Sequence, residues 1–213
     1  MNNYKLYSKN RDTVRGGGVA IYVRNDVDSY EVNDDQLNEL RSEQIWCKIK
    51  TAKDMILVGC VYRPPFADCE LNIEINKTIG YASHLCSSKS LNSLVVAGDL
   101  NFPDILWHQA GGFCINKGRP SSLEFLETMN KNYLTQHVLE PTFKNNTLDL
   151  VITDDPARIF RVRQGPPIGS TEKDCLHNTL TWNYELRSNI GSKFASSSQP
   201  ILSKGNYDNL MII

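Results

Sequence analysis

Apolar and polar residues change rhythm several times along the chain, and each rhythm predicts an element. "VAIYVR", Val19 to Arg24, is β-rich after a glycine-rich turn, and "QIWCKIK", Gln44 to Lys50, sets Ile45, Cys47 and Ile49 against Trp46, Lys48 and Lys50 with a strand's period of two. "MILVGCVYRPP", Met55 to Pro65, is a longer apolar run closed by two prolines, which cannot continue a central strand. The three segments predict consecutive antiparallel strands of one sheet. Leu71, Ile73, Ile75, Ile79 and Leu85 then predict a helix within residues 70–90, before "SLVVAG", Ser93 to Gly98, returns to the sheet. Leu123, Phe125, Leu126 and Met129 form the apolar stripe of a second helix, with Ser121 and Ser122 available as caps and Glu124 in its first turn. Asn146 to Asp154 and Leu176 to Trp182 read as two further strands, and beyond Leu186 the chain turns Ser-, Asn- and Gly-rich, as a linker does. Strands in hairpins followed by strand-helix-strand units predict an α+β fold, an α/β sandwich with helices outside packed sheets.

Composition narrows the class without deciding it. A chain of 213 residues, 40% hydrophobic and 22% charged, suits one globular domain with a real core. The net charge of −1 neither demands nor excludes a nucleic-acid partner, and the local clusters Lys48, Lys50, Lys53 and Arg158, Arg161, Arg163 read as solvated faces. Six cysteines without a C-x-x-C pair argue against a zinc ribbon or a thioredoxin-like site, and Cys47 and Cys60 sit in apolar runs as small core residues. With no apolar leader and no run of membrane length, a reducing intracellular compartment, nuclear or cytoplasmic, is expected and a membrane partner is not.

Polar residues gather at the ends of the predicted strands. Tyr62 ends one and Asp99 and Asn101 end the next; Asp149 lies inside an apolar run, and Glu172, Asp174 and His177 lead into the last. A buried, unpaired carboxylate is costly, so Asp149 in particular asks for a partner. Carboxylates, an amide, a phenol and an imidazole around one mouth suit metal-assisted phosphodiester hydrolysis: oxygen ligands hold Mg²⁺ or Mn²⁺, a carboxylate activates water, and His⁺ or Tyr steadies phosphate oxygens.

"RGGGVAIYVR", "EQIWCKI", "ILVGCVYRPP", "VVAGDLNFPDILW", "NNTLDLVITD" and "GPPIGS", in that order, resemble the endonuclease domain of LINE-type non-LTR retrotransposons. That domain belongs to the endonuclease/exonuclease/phosphatase superfamily, alongside apurinic endonucleases. The likeness runs from about Tyr4 to Trp182 and implies two packed sheets flanked by helices. It implies a phosphate-contacting Tyr62 with Arg63 beside it, and Asp99 as the water-activating or metal-binding aspartate. Asn101 would orient phosphate and nucleophile, and Asp149 the catalytic histidine. The implied activity is Mg²⁺-dependent nicking of target DNA, whose freed 3′-hydroxyl primes a reverse transcriptase.

The family's Ser-Asp-His run falls on Thr171, Glu172 and Lys173 without gaps, or places its histidine at His177 after a four-residue insertion, with Asp174 the nearest aspartate. The second register fits the last strand better. The family's upstream asparagine and metal-binding glutamate have no counterpart here, so the first strand or strands are expected to be missing, and Glu172 or Asp174 remains as a further metal-ligand candidate. Glu43 is expected to be structural. Residues 1–186 are expected to form the domain, incomplete at its start, and 187–213 a linker towards a reverse transcriptase absent from this chain. These departures imply impaired activity; the alternative is a non-catalytic retrotransposon-derived remnant that binds DNA weakly.

Overall fold

In the computed structural model the described residues are 3–11, 17–38, 40–88, 91–168 and 176–187. A six-stranded sheet forms the middle layer: β3 (Ser29–Glu31), β4 (Glu43–Lys50), β5 (Met55–Tyr62), β6 (Ser93–Asp99), β10 (Asp149–Thr153) and β9 (Thr135–Gln136), side by side in that order. Pairing is antiparallel throughout except between β5 and β6, which run parallel and are joined by helix α2 (Cys69–Ser87), the short α1 (Asp35–Asn38) lying between β3 and β4 in the chain. The central strands are almost continuously apolar because both of their faces are covered.

Successive residues of β5 show the alternation. Leu57 and Val61 pack with Trp46, Leu94, Val96, Leu150 and Ile152 beneath α2 and α3 (Pro120–Lys131). Ile56 and Val58 face the other way, into a second core with Cys47, Val95, Val151, Ile21 and Trp182. That second core is roofed by two antiparallel pairs, β1 (Tyr4–Lys9) with β2 (Val19–Arg24), and β11 (Ile159–Gly165) with β12 (Thr179–Tyr184). The arrangement is the α+β sandwich of packed sheets that the sequence pattern predicts.

Three expectations need correcting. Val19 to Arg24 does not join "QIWCKIK" and "MILVGC" in one sheet: it pairs with Tyr4–Lys9 and lies across the central sheet, burying Ile21 and Val23 in the second core. The second helix starts at Pro120 with Arg119 as its N-cap residue, and Ser122 is no cap; its hydroxyl donates to Asp104. Arg158 is not on a solvated face: it is 5% exposed and paired with Asp54. The strands Tyr4–Lys9 and Ile159–Gly165 and the hairpin of β7 (Ile105–His108) with β8 (Gly111–Cys114) have no counterpart in the sequence reading. Among the described residues no helix is long and apolar enough to cross a membrane. Residues 188–213, the expected linker, lie outside the described residues.

Candidate active site

The site is a row of side chains along one end of the central sheet. Glu43 is directly paired with Tyr62, Asp99 is directly paired with Asp149, and the parallel register Cys60 to Ala97 brings Tyr62 alongside Asp99. Two-residue periodicity puts all four on the face of the second core, because they alternate in step with Cys47, Val58, Val95 and Val151. The Arg63 N–H donates to the Asp99 carbonyl at 2.8 Å and locks β5 to β6 at this end.

Close approach of those strands depends on Gly98. Its φ is +149°, and a Cβ there would stand 1.9 Å from the Val61 carbonyl oxygen. After Asp99 the chain turns through Asn101 in the left-handed region, φ +48°, which asparagine tolerates better than most residues. The Asn101 N–H donates to Asp99 Oδ1 at 3.2 Å, and its amide nitrogen donates to the Arg63 carbonyl at 3.0 Å.

Arg63 holds this turn from beneath and does not face the mouth, unlike the phosphate-binding role the resemblance implies. It is 2% exposed; its guanidinium donates to Asn72 Oδ1 at 2.7 Å and the Asn101 carbonyl at 2.8 Å, and lies 4.1 Å from the Phe102 ring centroid. Burial pulls its pKa down to about 10.

His177 closes the site from the segment before β12. Its Nδ1 lies 2.7 Å from Asp149 Oδ2. A carboxylate only accepts, so the bond assigns the proton to Nδ1 and leaves Nε2 free to engage another group. The Phe143 ring stacks on the imidazole at 4.6 Å between centroids. Thr142, fully buried, accepts the N–H groups of Leu148 and Asp149 on its hydroxyl, each at 3.0 Å, and its carbonyl accepts the Asn178 N–H at 2.8 Å. One residue thus fixes both the carboxylate strand and the histidine segment. Thr142 and Phe143 were not singled out from the sequence; the turn "PTFKNNT" carries the only local signal, a polar cluster between two strands.

Electrostatics follow from the crowding. Burial pushes the Asp99 carboxyl up to about 6, the facing Asp149 carboxylate adds to the rise, and His177 and the Asn101 hydrogen bonds oppose it. His177 is raised above its ordinary value first by the hydrogen bond to Asp149, against partial burial. One ligand atom each from Asp99, Asp149 and His177 lies within 4.8 Å of the others, a grouping that could hold a metal ion. Behind the pair, a cavity of about 590 Å³ runs over Cys60, Ala97 and Val151 beneath Leu180 and Trp182. Tyr62 stands half-buried in the row. Lys173 and the candidates Glu172 and Asp174 lie outside the described residues.

A family model described as endonuclease-reverse transcriptase matches residues 56–170. No curated protein matches the chain. Among solved structures, it is similar to the endonuclease domain of TRAS1, a telomere-specific non-LTR retrotransposon, with 16% identity and a TM-score of 0.65 over 88% of this chain and 83% of that one. It is also similar to the 3′ phosphatase NExo from Neisseria bound to a product DNA hairpin (14% identity, TM-score 0.55, 87% and 81% covered). A third likeness is to an AP endonuclease from Archaeoglobus fulgidus (16% identity, TM-score 0.52, 87% and 80% covered). At these identities the likenesses establish the shared sandwich fold.

Proposed function

The chain belongs to the endonuclease-reverse transcriptase family, and on that premise we propose that it is a nuclease that hydrolyses phosphodiester bonds in DNA with the help of Mg²⁺ or Mn²⁺. The observation that carries this reading is the convergence of Asp99, Asp149 and His177 within 4.8 Å at one end of the sheet. The donor set fits a hard divalent cation: Asp99 and the Asp149 oxygen not used by His177 offer carboxylate ligands, and a cation would relieve the crowding that holds the Asp99 pKa up. Such a cation supplies charge neutralisation at the phosphoryl group and acidifies a bound water.

In this reading Asp99 takes the proton of the attacking water, for which its place at the end of β6 beside Tyr62 suits it. Asp149 keeps the His177 proton on Nδ1, so that Nε2 addresses a phosphoryl oxygen. Tyr62 contacts the phosphate beside Asp99, and Asn101, pinned at the turn, orients it. The nick leaves a 3′-hydroxyl that a reverse transcriptase extends, the partner activity suggested by the family's description. Leu176, not an aspartate, precedes His177, so the reading carries impaired activity as a corollary.

Supercoiled-plasmid nicking tests it. With Mg²⁺ or Mn²⁺ the chain is expected to nick, a chelator to stop it, and Asp99→Asn or His177→Ala to slow it by at least about 10²-fold. Nicking undiminished in Asp99→Asn overturns the reading. No nicking with either ion in the parent chain favours the non-catalytic remnant.

A further inference from the structure

One group at the same end of the sheet plays no part in the hydrolytic reading. Glu43 continues the row Tyr62, Asp99, Asp149 by one strand, and it does not stand open as an acid. Its Oε1 accepts Nε and an Nη nitrogen of Arg11 at 2.9 and 2.5 Å, and its Oε2 accepts the Gly18 N–H at 2.6 Å. The Glu43 side chain is 15% exposed and the Arg11 side chain 33%, so Arg11 is the more accessible member of the pair. The Arg11 Cζ lies 5.9 Å from the Tyr62 ring centroid.

The local backbone is shaped around Arg11. Gly17 has φ +88°, and a Cβ there would stand 2.7 Å from the Arg11 Cζ; Gly18 has φ +96°, and a Cβ there would stand 2.7 Å from the Lys9 carbonyl oxygen. Gly17 thus lies directly against the guanidinium, which Glu43 holds through Nε and one Nη nitrogen, leaving its remaining nitrogen outside the carboxylate pair. The pair is not sealed from solvent, and its cation is the more accessible partner.

We propose that Arg11, oriented by Glu43, is a phosphate-binding subsite for the sugar-phosphate backbone flanking the scissile bond, at the Tyr62 end of the row. Spacing supports it. Glu43 stands two strands from Asp99, about 10 Å, which is farther than one phosphate group reaches, so the contact falls on a neighbouring phosphate of the same strand and not on the reacting phosphodiester. A nucleoside monophosphate or small phosphomonoester carries a single phosphate and cannot fill both places. The subsite would therefore select a polynucleotide over small phosphoesters, and it deepens the nuclease reading, on which its scissile position rests.

The test is binding of a short fluorescein-labelled DNA duplex to the full chain by anisotropy across a salt series in EDTA, beside plasmid nicking with Mg²⁺. Arg11→Ala is expected to weaken binding roughly 3–10-fold at low salt and to flatten the slope of log affinity against log salt by about 0.9, one phosphate contact. Arg11→Lys keeps the slope, and so does Glu43→Gln, which neutralises the guanidinium's partner but keeps the cation. Circular dichroism and melting temperature are recorded for each variant. A slope unchanged in Arg11→Ala overturns the subsite, as does a slope lost equally in Glu43→Gln, the mark of a purely structural pair. No salt-dependent binding by the parent chain overturns it too. The two readings separate cleanly: nicking that is lost in Asp99→Asn while Arg11→Ala leaves the slope intact removes only the subsite. Nicking indifferent to Asp99→Asn, with an Arg11-dependent slope, removes only the hydrolytic assignment.

Discussion

Asp99 shows how one residue's chemistry is set by its neighbours. Sequence identifies it as a carboxylate after an apolar strand; the fold places it half-buried and directly opposite Asp149, and its pKa rises to about 6 against an ordinary 3.8. A carboxyl raised in the folded state disfavours folding where it must ionise: the penalty is present above about pH 6 and disappears below the ordinary value, where folded and unfolded chains are both protonated. Asp99→Asn is therefore expected to stabilise the metal-free chain at pH 7–8 by about 1–2 kcal/mol after discounting for partial exposure, with no gain below about pH 4. Urea melts across pH in EDTA check this. Adding Mg²⁺ should then stabilise the parent chain and not the variant, because only the parent keeps the ligand.

At the scale of elements, β4, β5, β6 and β10 of the central sheet are legible because each is a period-two or doubly buried apolar run, and their ends are marked by proline, glycine or a polar cluster. Gly98 and the two prolines after Tyr62 make the ends of β5 and β6 readable as functional positions. The turn carrying Thr142 and Phe143 is not legible in that way, since a threonine is chosen there for two amide hydrogen bonds that form only when β10 is in place. Thr142→Val keeps the volume and removes the acceptor. It is expected to cost about 1–3 kcal/mol through the two unsatisfied N–H groups, and to let the His177 pKa fall towards 6.5 as Asp149 loses its alignment. Urea denaturation measures the first and an NMR titration of the imidazole the second; a loss of stability with an unmoved pKa would show that Thr142 supports the fold and not the pair.

At the scale of the whole molecule, the roof strands are held by a charge cluster at the opposite end from the site. Asp54, with a fully buried side chain, accepts both terminal nitrogens of Arg158 and the Arg187 N–H, while Arg158 also donates to the Glu185 carbonyl at 2.7 Å and lies 4.5 Å from the Tyr184 ring centroid. Breaking a buried pair strands the remaining charge, so Arg158→Ala is expected to lose about 3–5 kcal/mol, read as a fall in the urea midpoint; replacing both partners by apolar residues should lose less. The sequence by itself determined the apolar strands β2, β4, β5, β6, β10 and β12, the helices α2 and α3, and which residue types stand at strand ends, because periodicity, proline and glycine act over a few residues. It also carried the family's motifs in order, from "RGGGVAIYVR" to "NNTLDLVITD". Tertiary structure alone decided that Val19–Arg24 roofs the sheet instead of extending it, and that Arg63 and Arg158 are interior while Arg11 is partly exposed. Each of those outcomes rests on a contact between segments far apart in the chain, and such a contact leaves no period in the sequence from which it could be read.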